Sequence, residues 1–245
     1  KTSLALDFAR NAAVKHNIPV AIFSLEMSKE QLVDRMLSAQ SQVDSWKLRT
    51  AKLTLDEEFQ RLQQGMHELM KAPIYVDDKA ANTILNMRST LRRLNTERPI
   101  GLIIVDYLQL MGTSRQYDNM VNQVTEISRS LKALAKEFNA PVIALSQLSR
   151  AVESRGGKPR LSDLRDSGSI EQDADVVMFI HREDKYGENT DRKNIVEILI
   201  EKHRNGPTGM VELYFDDKKT SFVSVEKSEF GDFSMPNVNV NMPDF

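Results

Sequence analysis

Short apolar runs, each separated from the next by a helical pattern, set the tightest limit on the architecture open to this sequence. The strongest covers residues 100–106, where Ile100-Gly101-Leu102-Ile103-Ile104-Val105 ends abruptly in Asp106. Residues 19–25, 73–77 and 140–145 are of the same kind. Such runs do not alternate apolar with polar residues, so both faces of each strand must be buried. Strands of this type alternating with helices imply a parallel sheet covered on both sides. The intervening stretches carry apolar residues at steps of three and four. A helix over 3–16 holds Leu4, Leu6, Phe8, Ala9, Ala12 and Ala13. Ser28 is a good N-cap for 29–40, with Gln31 at the capping-box position. Thr83 opens a helix with Ile84, Met87, Leu91 and Leu94 on one face, and 121–138 presents Val124, Ile127, Leu131, Leu134 and Phe138. Within 41–72, Leu55, Phe59, Leu62, Met66, Leu69 and Met70 form a stripe expected to pack into the core.

Later segments change character. Residues 175–181 read as a further strand. Residues 194–202, 209–215 and 221–225 read as an antiparallel end to the sheet, with Asn205-Gly206-Pro207 a turn. The fold class is therefore α/β, a mostly parallel sheet flanked by helices with antiparallel strands at the C-terminal end. One domain over 1–225 is expected. The tail 226–245 sets Lys227 against Glu226, Glu229, Asp232 and Asp244, is rich in Asn and Pro, and is expected to be flexible and acidic.

Ligands on parallel sheets bind beyond the carboxyl ends of the strands. Four polar residues fall at such ends: Glu26, Asp106, Gln147 and His181. The chain also opens with Lys1-Thr2 running into a helix. That pair has the form of the end of a phosphate-binding loop, whose glycines would stand before Lys1. In such a loop the Lys reaches the β- and γ-phosphates and the hydroxyl ligates Mg²⁺. Asp106 then suits the Mg²⁺ shell, although strands also end in Asp simply to enter a turn. Glu26 suits the orientation or deprotonation of an attacking water, or merely complements a helix N-terminus. Gln147 suits a γ-phosphate sensor, or is an ordinary strand-end amide.

The chain has 245 residues and a net charge of −2, from 33 basic and 35 acidic residues. A uniformly basic nucleic-acid coat is excluded, and any nucleic-acid contact must be local. Residues 147–165 are the best candidate. There Arg150, Arg155, Lys158, Arg160 and Arg165 outweigh Glu153 and Asp163 without aromatic residues, which suits phosphate tracking more than base stacking. Gly168, before Ser169-Ile170-Glu171, suits backbone approach to a phosphate. Lys202 and Arg204 lie beside the turn at 205–207; they suit either a surface hairpin or a charge-stabilising finger offered to a neighbouring subunit. There are no cysteines, so a disulfide scaffold and a Cys zinc site are excluded, which fits a reducing cytoplasm. No apolar run approaches the ~20 residues of a membrane-spanning helix.

Six segments together resemble a known family. They are Lys1-Thr2-Ser3-Leu4-Ala5, residues 23–28 (FSLEMS), 102–111 (LIIVDYLQLM), 144–150 (ALSQLSR), 161–175 (LSDLRDSGSIEQDAD) and 201–207 (EKHRNGP). In this order they resemble the C-terminal RecA-like motor domain of the bacterial replicative DNA helicase family DnaB. The resemblance implies a RecA-like core and an ATP-dependent helicase. Such a helicase acts as a homohexameric ring on single-stranded DNA and moves 5′ to 3′ at the replication fork in the cytoplasm. It implies that Lys1 and Thr2 bind ATP and Mg²⁺, with Asp106 supporting the metal. It implies that Glu26 is the catalytic carboxylate and Gln147 the coupling glutamine. Lys202 and Arg204 would act in trans. Arg165, Asp166 and Gly168 would match the DNA-tracking loop, helped by 112–119. Primase and a helicase loader are implied as partners of a full-length protein, of which this chain is expected to be a fragment. The alternative is a RecA-like recombinase or related DNA-binding ATPase without unwinding activity. A non-catalytic interaction module is the third reading.

Overall fold

A computed structural model describes residues 1–225 except 54, 114–116, 118, 150–154, 156 and 186–191, and except the side chains of 165–167 and 185. The expected flexible tail, Arg150 and part of the loop at 112–119 therefore lie outside the described residues. Helix α1 (Thr2–Arg10) runs on through a π-helical turn, Asn11–Lys15. Strand β1 (Val20–Ser24) follows, then α2 (Lys29–Ser41), α3 (Ser45–Thr50) and α4 (Asp56–Lys71). Strand β2 (Ile74–Asp77), α5 (Ile84–Glu97), β3 (Leu102–Asp106), α6 (Met120–Phe138) and β4 (Val142–Ala144) complete the first half. A 3₁₀ segment, Leu161–Ser167, leads directly into α7 (Gly168–Asp173). The chain then forms β5 (Val176–His181), β6 (Ile195–His203), β7 (Gly209–Asp216) and β8 (Ser221–Ser224).

The apolar runs do form a parallel sheet, in the order β2-β1-β3-β4. Strands β1 and β3 are buried at every position. Their side chains divide by parity, as the two-residue repeat of a strand requires. Ala21, Phe23, Ile103 and Val105 pack against Met87 and Leu91 of α5 and Val124, Ile127, Leu131 and Leu134 of α6. Val20, Ile22, Leu102 and Ile104 pack against Ala5, Leu6 and Ala9 of α1 and Leu32 and Met36 of α2. The expected capping box at Ser28 and Gln31 is present, which stops the chain after β1 and starts α2.

Strands β5-β6-β7-β8 form a separate antiparallel sheet. It is fastened to α1. Leu4 packs with Val196 and Ile198, and Phe215 and Phe222 close that cluster. Asp7, 6% exposed, accepts a 2.7 Å hydrogen bond from the Phe222 N–H and a 3.0 Å bond from Arg10 Nη2. A helix at one end of the chain and a hairpin at the other are thus joined through one carboxylate. Burial pushes the Asp7 pKa up, against the opposing pull of the Phe222 N–H and Arg10.

Two sequence expectations need correction. His181 does not join the carboxyl edge of the parallel sheet. It is buried in β5, paired in register with Glu197 of β6. The stripe on α4 is mostly outside the core. Leu55, Phe59 and Met66 are exposed, and Met70 is 79% exposed. Periodicity gave the helix but the wrong face, because α4 packs on α2 through Gly65. A Cβ there would stand 3.0 Å from the backbone nitrogen of Ser41. Glu58 is buried on that side, paired with Lys47 at 2.6 Å.

Opposite outcomes are expected on α4. Gly65→Val should destabilise the domain by about 1–3 kcal/mol through overpacking, while Phe59→Ser should stay within about 0.5 kcal/mol in the isolated domain. Urea titration of the two variants checks the assignment of faces. At Asp7 the folded-state pKa is raised, so the stabilisation is complete below the unfolded value near 3.8 and is lost as pH rises through the folded value. Asp7→Asn keeps an acceptor for Phe222 without a titration. The stability difference between Asp7→Asn and wild type should therefore move in favour of the variant as pH rises above about 4. A difference independent of pH would contradict the burial argument.

Candidate active site

The carboxyl end of the parallel sheet gathers the polar ends expected from sequence, apart from His181. Register pairs Ser24 with Asp106, so the ends of β1 and β3 are level. The Leu25 N–H donates to the Asp106 carbonyl at 2.7 Å and carries the pairing one residue past the strand. The Ser24 hydroxyl, buried, then closes a short turn by donating to the Met27 carbonyl at 2.7 Å. Glu26 stands on that turn, exposed, at the mouth of the site.

Asp106 is 4% exposed at the end of β3, a strand buried at every position. Its Oδ2 accepts the Thr2 hydroxyl at 2.6 Å, across 104 residues of sequence. Lys1 Nζ donates to the Ser146 carbonyl at 3.1 Å and lies 5.5 Å from the centroid of the Tyr107 ring. Desolvation lowers the Lys1 pKa, while the negative charges of Asp106 and Glu26 act in the opposite direction. Asp106 and Glu26 are thus near enough for their negative charges to act on Lys1.

Gln147 follows Ser146 beyond the end of β4. Its N–H donates to Gln109 Oε1 at 3.3 Å, and Gln109 Nε2 donates to the Ser146 hydroxyl at 2.8 Å and to the Gln147 carbonyl at 3.3 Å. Gln109 was not among the residues expected from sequence. The available signal was its place three residues after Asp106, in the turn that leaves β3. Gln147 also faces an open cavity of about 350 Å³, whose far wall includes Met120, Asp163 and Leu164. That cavity separates the nucleotide-side residues from the segment expected to track DNA.

The basic stretch 147–165 is less available than its composition implied. Arg155 makes a two-pronged contact with Asp163, 2.8 Å at each oxygen, and Asp163 also accepts the Arg160 N–H at 2.7 Å. Arg155, above all, holds the Asp163 carboxyl below the usual carboxylate range. Lys158 pairs with the buried Glu197 at 2.7 Å. Two of the five cations are thus engaged within the fold. The backbone of Arg165 and Asp166 lies in the 3₁₀ segment, but their side chains lie outside the described residues. Gly168 is exposed, and a Cβ there would meet nothing within 4 Å.

Lys202 and Arg204 are not gathered at the Lys1–Asp106 site. They stand at the end of β6, where Val177 pairs with Lys202 and Val176 with His203. Both reach the last carbonyls of α7. Lys202 Nζ donates to the Glu171 carbonyl, and Arg204 Nη2 donates to the Gln172 carbonyl at 3.1 Å. A Cβ on Gly206 would fall 2.1 Å from His203 Nδ1, so glycine lets the turn close over the imidazole. Among the described residues no cluster of three or more His, Cys, Asp or Glu side chains suits a metal ion, and no helix is long and apolar enough to cross a membrane.

The chain is 51% identical to the replicative DNA helicase DnaB of Geobacillus stearothermophilus over 229 residues, covering 93% of this chain and 50% of that protein. It is 49% identical to the replicative DNA helicase DnaC of Bacillus subtilis (strain 168), covering 96% of this chain and 52% of that protein. The chain thus spans about half the length of the curated relatives it matches. Its structure superposes on a solved ATPase domain with a TM-score of 0.88 at 38% identity, covering 92% of this chain and 81% of that one. The RadB recombinase aligns with a TM-score of 0.50 at 16% identity, covering 92% of this chain and 86% of that one, which shows a shared RecA-like fold alone. The model of the DnaB-like helicase C-terminal domain matches residues 1–224, and the chain belongs to that family.

Proposed function

We propose that this chain is the ATP-hydrolysing motor of a replicative DNA helicase, working within a longer protein as a homohexameric ring on single-stranded DNA. The observation that carries this reading is the 2.6 Å contact between Thr2 Oγ1 and Asp106 Oδ2, level with Lys1 and Glu26. A hydroxyl and a buried carboxylate in contact are the hard oxygen donors that Mg²⁺ prefers when it is shared with substrate phosphates. Bound there, the ion would neutralise charge on the transferring phosphoryl group. Thr2 would supply a direct ligand and Asp106 would orient that ligand from behind. The desolvated Lys1 would bind the β- and γ-phosphates of ATP. Glu26 would orient the attacking water and accept its proton. Gln147, steadied by Gln109, would report the γ-phosphate to the segment across the cavity.

Lys202 and Arg204 would complete the neighbouring subunit's site, where a guanidinium suits charge spread over phosphoryl oxygens. The segment containing Arg165, Asp166 and Gly168 would face the DNA. Movement from 5′ to 3′ follows the family reading. A solved DnaB-like replicative helicase is described with its interactions with primase; its chain matches this one with a TM-score of 0.87 at 38% identity, over 91% of this chain and 54% of that one. Primase and a helicase loader are accordingly proposed as partners of the full-length protein in the cytoplasm. A recombinase without unwinding activity has support only from likeness of fold.

Two experiments test the roles in a full-length protein. Glu26→Gln should retain binding of ATP and single-stranded DNA, while hydrolysis falls by about 10²-fold or more and fork unwinding stops. Unwinding at the wild-type rate would remove Glu26 from the mechanism. Arg204→Ala should abolish hydrolysis, and rings mixed from Arg204→Ala and Lys1→Ala subunits should recover part of it, because some interfaces then pair an intact site with an intact finger. Absence of recovery across all mixing ratios would argue against action in trans.

A further inference from the structure

The two cations assigned to the neighbour's nucleotide are held, within their own subunit, by the helix that follows the DNA-facing segment. Helix α7 begins where the 3₁₀ segment Leu161–Ser167 ends. Its final carbonyls have no partner within the helix, as at any helix end. Lys202 Nζ caps the Glu171 carbonyl and reaches the Gln172 carbonyl at 3.4 Å, and Arg204 Nη2 caps Gln172 at 3.1 Å. The Arg204 N–H donates to the Asp175 carbonyl at 2.8 Å. The Asp175 carboxylate takes Arg204 Nε at 3.4 Å on one oxygen and Lys132 of α6 on the other. The start of α7 is tied to the same α6, since the Thr125 hydroxyl donates to the Ser169 hydroxyl at 3.0 Å.

We propose that Asp175 and the end of α7 form a positioning relay that sets Lys202 and Arg204 according to the position of the DNA-facing segment. The proposal rests on the reading that these cations act on the neighbouring subunit. A shift of the 3₁₀ segment carries α7 with it, because no residue intervenes between them. A shift of α7 displaces the carbonyls that Lys202 and Arg204 cap. Asp175 bridges Arg204 to α6 and so defines where the guanidinium rests. The contacts at stake are half exposed, individually weak and therefore exchangeable. Arg carries five donors in a planar fork, so it can turn toward a phosphate while keeping one contact to Asp175. DNA occupancy in one subunit is thereby communicated to hydrolysis in the next. Asp175 is a positioning residue in this scheme, since it acts through Arg204.

The test measures kcat and KM for ATP hydrolysis in the full-length ring, with and without saturating oligo-dT. Asp175→Asn keeps the side-chain size and loses the charge that holds Arg204 and Lys132. The ratio of DNA-stimulated to basal kcat should fall about fivefold or more, the low end of ordinary coupling between sites. KM for ATP should change less than about twofold, because the subunit's own nucleotide residues are untouched. Asp175→Glu should restore most of the stimulation, which a purely structural defect would not allow. Lys132→Met serves as the second variant and should lower the ratio in the same direction. An unchanged ratio in both Asp175→Asn and Lys132→Met overturns the relay. Arg204→Ala separates the two ideas. If it abolishes hydrolysis while Asp175→Asn is stimulated normally, only the relay fails. If Arg204→Ala hydrolyses at the wild-type rate, the finger reading fails and the relay with it.

Discussion

Complete burial of β3 underlies everything else in the molecule. Both faces of Leu102–Asp106 are covered, one by α5 and α6 and the other by α1 and α2. Burial of each such aliphatic side chain contributes roughly 1.5–3 kcal/mol, so little freedom remains in where the strand ends. Its last residue is a carboxylate, held level with Ser24 by the parallel register. An aspartate at that position is forced to the boundary between core and solvent. There it meets the first turn of α1 and accepts the Thr2 hydroxyl. The precision of the candidate nucleotide site is thus a by-product of hydrophobic packing some distance away.

Helix α1 has a second task. Its inner face packs on the parallel sheet, while Leu4 and Asp7 fasten it to the antiparallel one. The residues proposed to bind this subunit's ATP therefore sit on an element that also bears on β6. At the far end of β6, Lys202 and Arg204 are joined to α7 and so to the segment proposed to face DNA. The edges proposed to meet nucleotide, DNA and a neighbouring subunit thus belong to one mechanically continuous body. The connections differ in kind. Packing against the sheets is apolar and stiff, whereas the contacts around Asp175 are exposed ion pairs, which exchange readily. Stiffness near the proposed nucleotide site and exchangeability near the proposed relay are compatible with a motor.

Much of this was legible in the residues. Uninterrupted apolar runs implied a parallel sheet, and the Ser28–Gln31 spacing implied the start of α2; both are present, although only β1 and β3 are buried throughout, because β2 and β4 are the edge strands and are partly exposed. The grouping of Glu26, Asp106 and Gln147 followed from a general property of such sheets, whose carboxyl ends share one edge, while Lys1 and Thr2 were singled out by the form of a phosphate-binding loop. His181 was misplaced by the same rule, because its strand belongs to an antiparallel sheet, where neighbouring ends do not coincide. The α4 stripe misled because periodicity shows that a helix has an apolar face without showing where that face points. A glycine and a partly buried ion pair decided the matter there. Gln109 and Asp175 were not singled out: the only signal for Gln109 was its closeness to Asp106 in the turn after β3, and Asp175 stands alone before β5 with no motif of its own.

Residue order was enough to specify the class of fold, the succession of strands and helices, and which polar residues close the parallel strands, because apolar periodicity and chain order are local properties. It also carried the six motifs that resemble the helicase family. Which distant groups touch emerged only on folding. Thr2 on Asp106, Gln109 on Gln147, Asp7 on Phe222 and Lys202 on the end of α7 are pairings between residues far apart in the chain. Folding also settled which basic residues remain available, since Arg155 and Lys158 are neutralised by carboxylates that come near only in the packed molecule. One cause is common to all of these cases. Hydrogen bonds and ion pairs act over a few ångströms, and such proximity between remote residues is created by the burial of apolar surface elsewhere.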